Sequence, residues 1–173
     1  MRDPLERYMS HYNHDKGTKW AKDFDHFLSR TYIKNFMVNK IAGEGSNDLE
    51  KAKQLLDQYS FVGDTNRYSQ SLNHLSKLMG KQFYGLKHSK NVRKSNEDYL
   101  KFEDLSEDKK RQVLKQNELD IKLYDYFLSR SSFLDEYPSS YDFKKPSVLR
   151  IKVLDKINRI KKKKMTDIRK NIK

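Results

Sequence analysis

Arg2 and Ser10 are the first residues whose types and spacing suit a chemical task. They lie in MRDPLERYMSHY, Met1 to Tyr12, where Leu5, Tyr8, Met9 and Tyr12 recur at helical spacing. Asp3 offers a capping carboxylate, and Pro4 at the first helical position needs no N–H partner. The stretch therefore predicts the end of a strand turning straight into an amphipathic helix. Arg2 stands at the mouth of that helix and Ser10 on the turn above Glu6. A guanidinium beside free helix N–H groups makes an anion site, because its fork donates two bonds to a phosphate and the helix end adds partial positive charge. The chemistry expected there is phosphate binding.

The elements that must position this corner follow in order. Gly17 ends the first helix, and Lys16-Gly17-Thr18-Lys19 reads as an ordinary loop, since a phosphate loop needs a preceding strand. Trp20, Phe24, Phe27, Leu28 and Tyr32, then Ile33, Phe36, Met37 and Ile41, recur at helical intervals and predict buried helical faces. Gly43 predicts a glycine cap. Leu49 to Leu56 is a further helix, and Tyr59 to Gly63, YSFVG, is the most credible strand. Thr65 and Arg67 sit at its C-terminal end, where open α/β sheets place ligands, although a helix cap and a surface ion pair serve equally well for them. Ser71 to Met79 predicts a helix stopped by Gly80. Ser106 opens another, with apolar spacing that continues through Val113, Ile121, Tyr124 and Leu128.

Composition bounds the reading. The chain of 173 residues carries eleven Tyr and nine Phe, too aromatic for a disordered polymer and enough for one domain with a real core. With no Cys, disulfide and thiolate chemistry are excluded. No apolar run is long enough for a membrane span and no signal-peptide pattern opens the chain, so as given it reads as soluble, with its compartment unknown. The net charge of +13 is concentrated: residues 144–173 hold thirteen Lys and Arg against two Asp. The body is nearly neutral, which leaves a body-wide nucleic-acid surface unsupported. Val153, Leu154, Ile157, Ile160, Met165, Ile168 and Ile172 make the tail a basic amphipathic helix. Packing on the body or a mobile helical extension is the first expectation for it, with a coiled-coil contact or an anionic membrane or polyanion as alternatives.

Three segments in order resemble one family. Arg2 to Tyr12 is similar to the 3′-phosphate motif of sulfotransferases that use 3′-phosphoadenosine 5′-phosphosulfate (PAPS), especially the Golgi-type carbohydrate sulfotransferases. Asp48 to Gly80 resembles the family's helix, Phe-Val-Gly strand, Thr-Glu-Arg-Phe turn and Ser-Leu helix, with Asn66 where the family usually has Glu and Arg67 retained. Leu105 to Phe127 resembles its closing helix with an Asn-x-Leu-Asp-x-x-Leu-Tyr core. Asn35 to Gly43 also resembles the stretch beside the family's acceptor site, with Asn39 where many relatives carry Arg. The resemblance spans approximately Arg2 to Phe127.

This resemblance implies an α/β chain, an incomplete P-loop-like three-layer sulfotransferase fold, mainly helical with few short strands. Residues 1–137 would be the C-terminal part of the sulfotransferase domain and residues 138–173 the basic tail. It implies PAPS as co-substrate, no metal, and transfer of the sulfuryl group to a hydroxyl of a carbohydrate. Arg2 and Ser10 would grip the 3′-phosphate, a basic loop supplying Asn91, Arg93, Lys94 and Ser95 would add nucleotide contacts, and Asn35, Thr65 and Arg67 would face the acceptor. The phosphosulfate loop and usual base of the family lie upstream of its 3′-phosphate motif, so an upstream segment is an expected partner. None of His11, His14, His26, His74 and His88 carries a motif that assigns it as the base. The alternative is a non-catalytic relic or binding module that uses the basic C-terminal helix for an anionic partner.

Overall fold

The computed structural model describes residues 1–83 and 99–142, and over these the chain is mainly helical. Helices α1 (Pro4–Gly17), α2 (Phe24–Leu28), α3 (Phe36–Ala42), α4 (Leu49–Asp57), α5 (Tyr68–Leu78), α6 (Glu107–Gln116) and α7 (Glu118–Arg130) precede a 3-10 turn at Ser132–Glu136. The start of α1 follows its sequence: Asp3 Oδ1 accepts from the Leu5 and Glu6 amides at 2.9 Å, and Pro4 begins the helix without a donor. Gly43 takes φ 116° at the end of α3 and Gly80 φ 62° after α5, conformations that a side chain would strain.

Two cores form. In the first, Tyr8, Met9 and Tyr12 of α1 pack on Phe24, Phe27 and Leu28 of α2, with Ile33, Leu105 and Val113 closing around them. The rings meet edge to face, Tyr8 with Phe27 at 5.1 Å and Tyr12 with Phe24 at 5.0 Å between centroids. In the second, Met37, Val38 and Ala42 of α3 pack with Ala52 and Leu56 of α4 and with Leu123, Tyr124 and Phe127 of α7.

Polar groups join the two cores. Asp120 of α7, fully buried, accepts from the Met37 and Val38 amides at 3.0 and 2.9 Å, so a carboxylate holds the first turn of α3. Arg7 of α1 lies 3.6 Å from Asp120, donates to Asn117 Oδ1 at 3.0 Å, and stacks 4.8 Å over the Phe36 ring. Burial pushes the Asp120 carboxyl above its ordinary value, against the pull of those two amides and Arg7. Asn35 completes the joint in the left-handed region at φ 44°, its Oδ1 accepting from the Leu119 amide at 3.0 Å.

The structure differs from the sequence expectations in three places. Among the described residues there is no strand. Tyr59 to Gly63 has no regular secondary structure and bends at Ser60; a strand needs a partner, and among the described residues Met1 alone bonds to its Gly63 end. The Met1 nitrogen donates to the Gly63 carbonyl and the Met1 carbonyl accepts from the Thr65 amide at 3.0 Å, the pattern found between parallel strands. The helix expected from Ser106 to Leu128 breaks at Asn117, whose φ of −113° and ψ of 15° end α6 and start α7 while its amide donates to the Val113 carbonyl. Trp20 and Tyr32 are 71% and 54% exposed rather than buried, because only the five residues of α2 between them are helical and the apolar period does not carry through. The tail expectation falls on residues 143–173, outside the described residues.

Candidate functional site

The corner of Arg2 and Ser10 is built by α1 and the Met1 pairing. Glu6 and Ser10 fall on one stripe of α1, four residues apart, and Arg2 lies just before its Asp3 cap. Arg2 lies 3.7 Å from the Glu6 carboxylate, with about a third of its side chain exposed. Ser10 is half-buried, and its hydroxyl makes no hydrogen bond with a described residue. The expected free helix amides are corrected: Asp3 fills the Leu5 and Glu6 donors with its side chain and the Arg7 donor with its carbonyl. The capping residue that starts α1 thereby consumes the donors an anion would use. What remains for an anion is the Arg2 guanidinium and the Ser10 hydroxyl, with the Glu6 carboxylate between them.

Thr65 joins this corner through its amide bond to Met1 and is exposed. Arg67 does not present an open guanidinium. Its Nε donates to Asp64 Oδ2 at 3.1 Å, and its Nη1 donates to the Ser131 carbonyl at 3.2 Å and to Asp135 Oδ1 at 3.1 Å. Burial opposes its charge, but Asp64 and Asp135 outweigh that and raise its pKa further. Arg67 therefore pins the start of α5 to the 3-10 turn. Asp64 is itself buried. It accepts from the Asn66 amide and from the Tyr124 hydroxyl at 3.3 Å, and burial, followed by Asp64, leaves that phenol pushed up to about 12. The Asp64 amide donates to the Ser71 hydroxyl at 2.9 Å.

Asn35 is occupied by the Leu119 amide, and its Nδ2 faces Asn47 Oδ1 at 3.5 Å. Beside it, along α3, opens a cavity of about 610 Å3 lined in part by Tyr32, Lys34, Phe36, Asn39, Lys40 and Asn47. Asn39 donates to the Lys34 and Asn35 carbonyls at 2.8 and 3.0 Å and so braces the turn before α3. The structure thus places the Asn35 stretch at a cavity wall. Of the lining residues, Tyr32 and Phe36 belong to the apolar helical pattern and Asn39 and Lys40 to the Asn35 to Gly43 segment, whereas Lys34 and Asn47 carry no sequence signal. Asn91, Arg93, Lys94 and Ser95 lie outside the described residues.

At the far end of α1, Asp15 is buried and binds Arg30 Nη1 at 2.7 Å, with His14 Nδ1 at 3.3 Å and His11 Nε2 at 3.7 Å. His11 packs edge-on to Phe27 at 5.3 Å and near Tyr32 and Phe36, the latter two being cavity walls. Burial lowers its pKa, with Arg7, His14 and Arg30 acting in the same direction and Asp15 against. Among the described residues no cluster of three or more His, Asp or Glu is arranged to hold a metal ion, and no helix is long and apolar enough to cross a membrane. Comparison with protein-family models, with curated proteins and with solved structures finds no match in any of the three.

Proposed function

We propose that this chain is part of a PAPS-dependent sulfotransferase, in which Arg2 and Ser10 grip the nucleotide 3′-phosphate and the α3 side of the molecule receives a carbohydrate hydroxyl. The parent architecture in this reading is a P-loop-like α/β sandwich, to which the chain contributes the part from the 3′-phosphate helix onward. The observation that carries it is the pairing of Met1 with Gly63 and Thr65. Pairing of a parallel kind at that point sets Arg2 and Thr65, each next to a paired residue, close together. Open α/β sheets bind ligands at such ends.

The reaction is an in-line displacement. A base takes the hydroxyl proton, the oxygen attacks sulfur, and the bond from sulfur to the phosphate oxygen breaks as the bisphosphate leaves. Positioning and positive charge at the phosphates carry the rate without a metal. In this chain Arg2 supplies charge to the 3′-phosphate and Ser10 a hydrogen bond. Arg7, Asp120 and Phe36 hold α1 against α3, which fixes the nucleotide corner relative to the cavity of α3.

Calorimetric titration with adenosine 3′,5′-bisphosphate tests the site. Micromolar binding is expected, weakened by R2A by about 1.5 to 3 kcal/mol, the worth of a charged hydrogen-bonding partner. Absence of binding at millimolar ligand rejects the nucleotide site and favours a binding module that works through the basic C-terminal helix.

A further inference from the structure

Trp20 is the single tryptophan of the chain, and it is 71% exposed at the turn after α1. Its backbone is nevertheless firmly held. The Trp20 and Ala21 amides both donate to the Asp15 carbonyl, at 2.8 and 3.1 Å, the Lys19 amide donates to the Lys16 carbonyl at 3.1 Å, and Arg30 Nη2 donates to the Trp20 carbonyl. Lys19 adopts φ 63°, an uncommon conformation for a side-chain-bearing residue, to complete the turn. A tight, fully bonded loop therefore presents the largest apolar side chain of the molecule to solvent.

The loop around it is rich in lysine. Lys16, Lys19 and Lys22 are exposed, and none forms a salt bridge with a described residue. The nearest acids are engaged: Asp15 with Arg30, Asp23 as the cap of α2, and Asp25 with Lys109. Trp20 lines neither of two surface cavities among the described residues. An exposed indole in a loop that also carries three exposed lysines matches the interface of an anionic bilayer, where indole sits at headgroup level and lysines meet lipid phosphates and carboxylates.

We infer that the Lys16 to Lys22 loop is an interfacial anchor that docks the folded domain on an anionic lipid surface. It lies at the opposite end of the 14-residue α1 from Arg2, about 20 Å away at 1.5 Å per residue, so docking leaves the nucleotide corner open. The inference stands on the loop alone and does not depend on the nucleotide reading.

Because Trp20 is the only indole, its fluorescence reports this loop and no other part of the chain. The full chain is mixed with phosphatidylcholine vesicles with and without phosphatidylserine. The expected result is a blue shift of Trp20 emission with phosphatidylserine vesicles, quenching by lipids brominated on the acyl chain, and loss of both at high salt. The triple variant K16Q/K19Q/K22Q should lose most of the vesicle affinity of the loop, roughly fivefold for each lysine removed. W20A should cosediment less with the vesicles while keeping the unfolding midpoint of the parent, as expected for an exposed side chain. Cosedimentation without any change in Trp20 emission would assign membrane binding to another segment and overturn the proposal. A shift produced by heparin but not by phosphatidylserine vesicles would overturn it in favour of a soluble polyanion.

Discussion

Glu6 of α1 lies 3.7 Å from Arg2 and one turn before Ser10, and its carboxylate sets the electrostatics of the proposed phosphate site. An anion bound by Arg2 meets this like charge at close range. E6Q is therefore expected to tighten adenosine 3′,5′-bisphosphate binding by up to about fivefold, the scale of a half-exposed charge interaction, with the gain shrinking as salt is added. An unchanged calorimetric affinity in E6Q would place the phosphate elsewhere. Arg67 shows the same lesson in reverse. Its type matched a ligand role, but its guanidinium is bonded to Asp64, Asp135 and Ser131, so its charge is already answered within the protein.

Helices α1, α3 and α7 meet through Arg7, Asp120 and Asn117, and this contact decides how the two cores share one body. Removing the Asp120 carboxylate leaves Arg7 buried without its counter-charge and the Met37 and Val38 amides without an acceptor. D120A should accordingly lower the unfolding free energy by about 3–5 kcal/mol, read from the urea midpoint at unchanged slope. His11, on the face of α1 toward Phe27, gives the domain a pH dependence. Its folded pKa lies below the ordinary 6.5, so the unfolded chain binds the proton more readily. Stability from this group is present above pH 6.5 and is lost as pH falls below it. His74, lowered by burial and Lys77, adds a slope of the same sign. Asp120, raised above 3.8, acts oppositely at more acid pH, where the folded state takes up the proton first. Thermal midpoints followed downward from neutral pH should decline, and H11Q should flatten that decline; an identical slope in H11Q would exclude His11 as a source.

At the scale of the molecule, the concentration of most of the net charge of +13 in residues 144–173 separates two kinds of binding. The proposed nucleotide corner lies on a nearly neutral body. Deletion of residues 147–173 is expected to leave adenosine 3′,5′-bisphosphate affinity within about twofold, since Arg2 and Ser10 supply the proposed contacts and non-contacting surface charge is screened by salt. Collapse of that affinity in the truncated chain would show that the phosphate site belongs to the tail. The two cores and the polar joint between them make the described body a single helical assembly in which α1 contributes residues at both ends: Arg2 at the corner and Asp15 at the base of the Trp20 loop.

Local rules were legible from residues alone. Asp3 and Pro4 start α1, Gly43 and Gly80 end α3 and α5, and the apolar spacing of Tyr8, Met9 and Tyr12 marks the buried face, because capping, positive φ and helical period depend on neighbours a few positions away. What only the tertiary structure decided depends on residues far apart in sequence. The break at Asn117 is fixed with the bond from Arg7, 110 positions earlier, and the fate of Arg67 with Asp135, 68 positions later. Whether Tyr59 to Gly63 becomes a strand rests on a partner that spacing within the segment does not encode. Trp20 is exposed because α2 begins only at Phe24, four residues beyond it, and Asp15 and Arg30 bond its backbone into a turn.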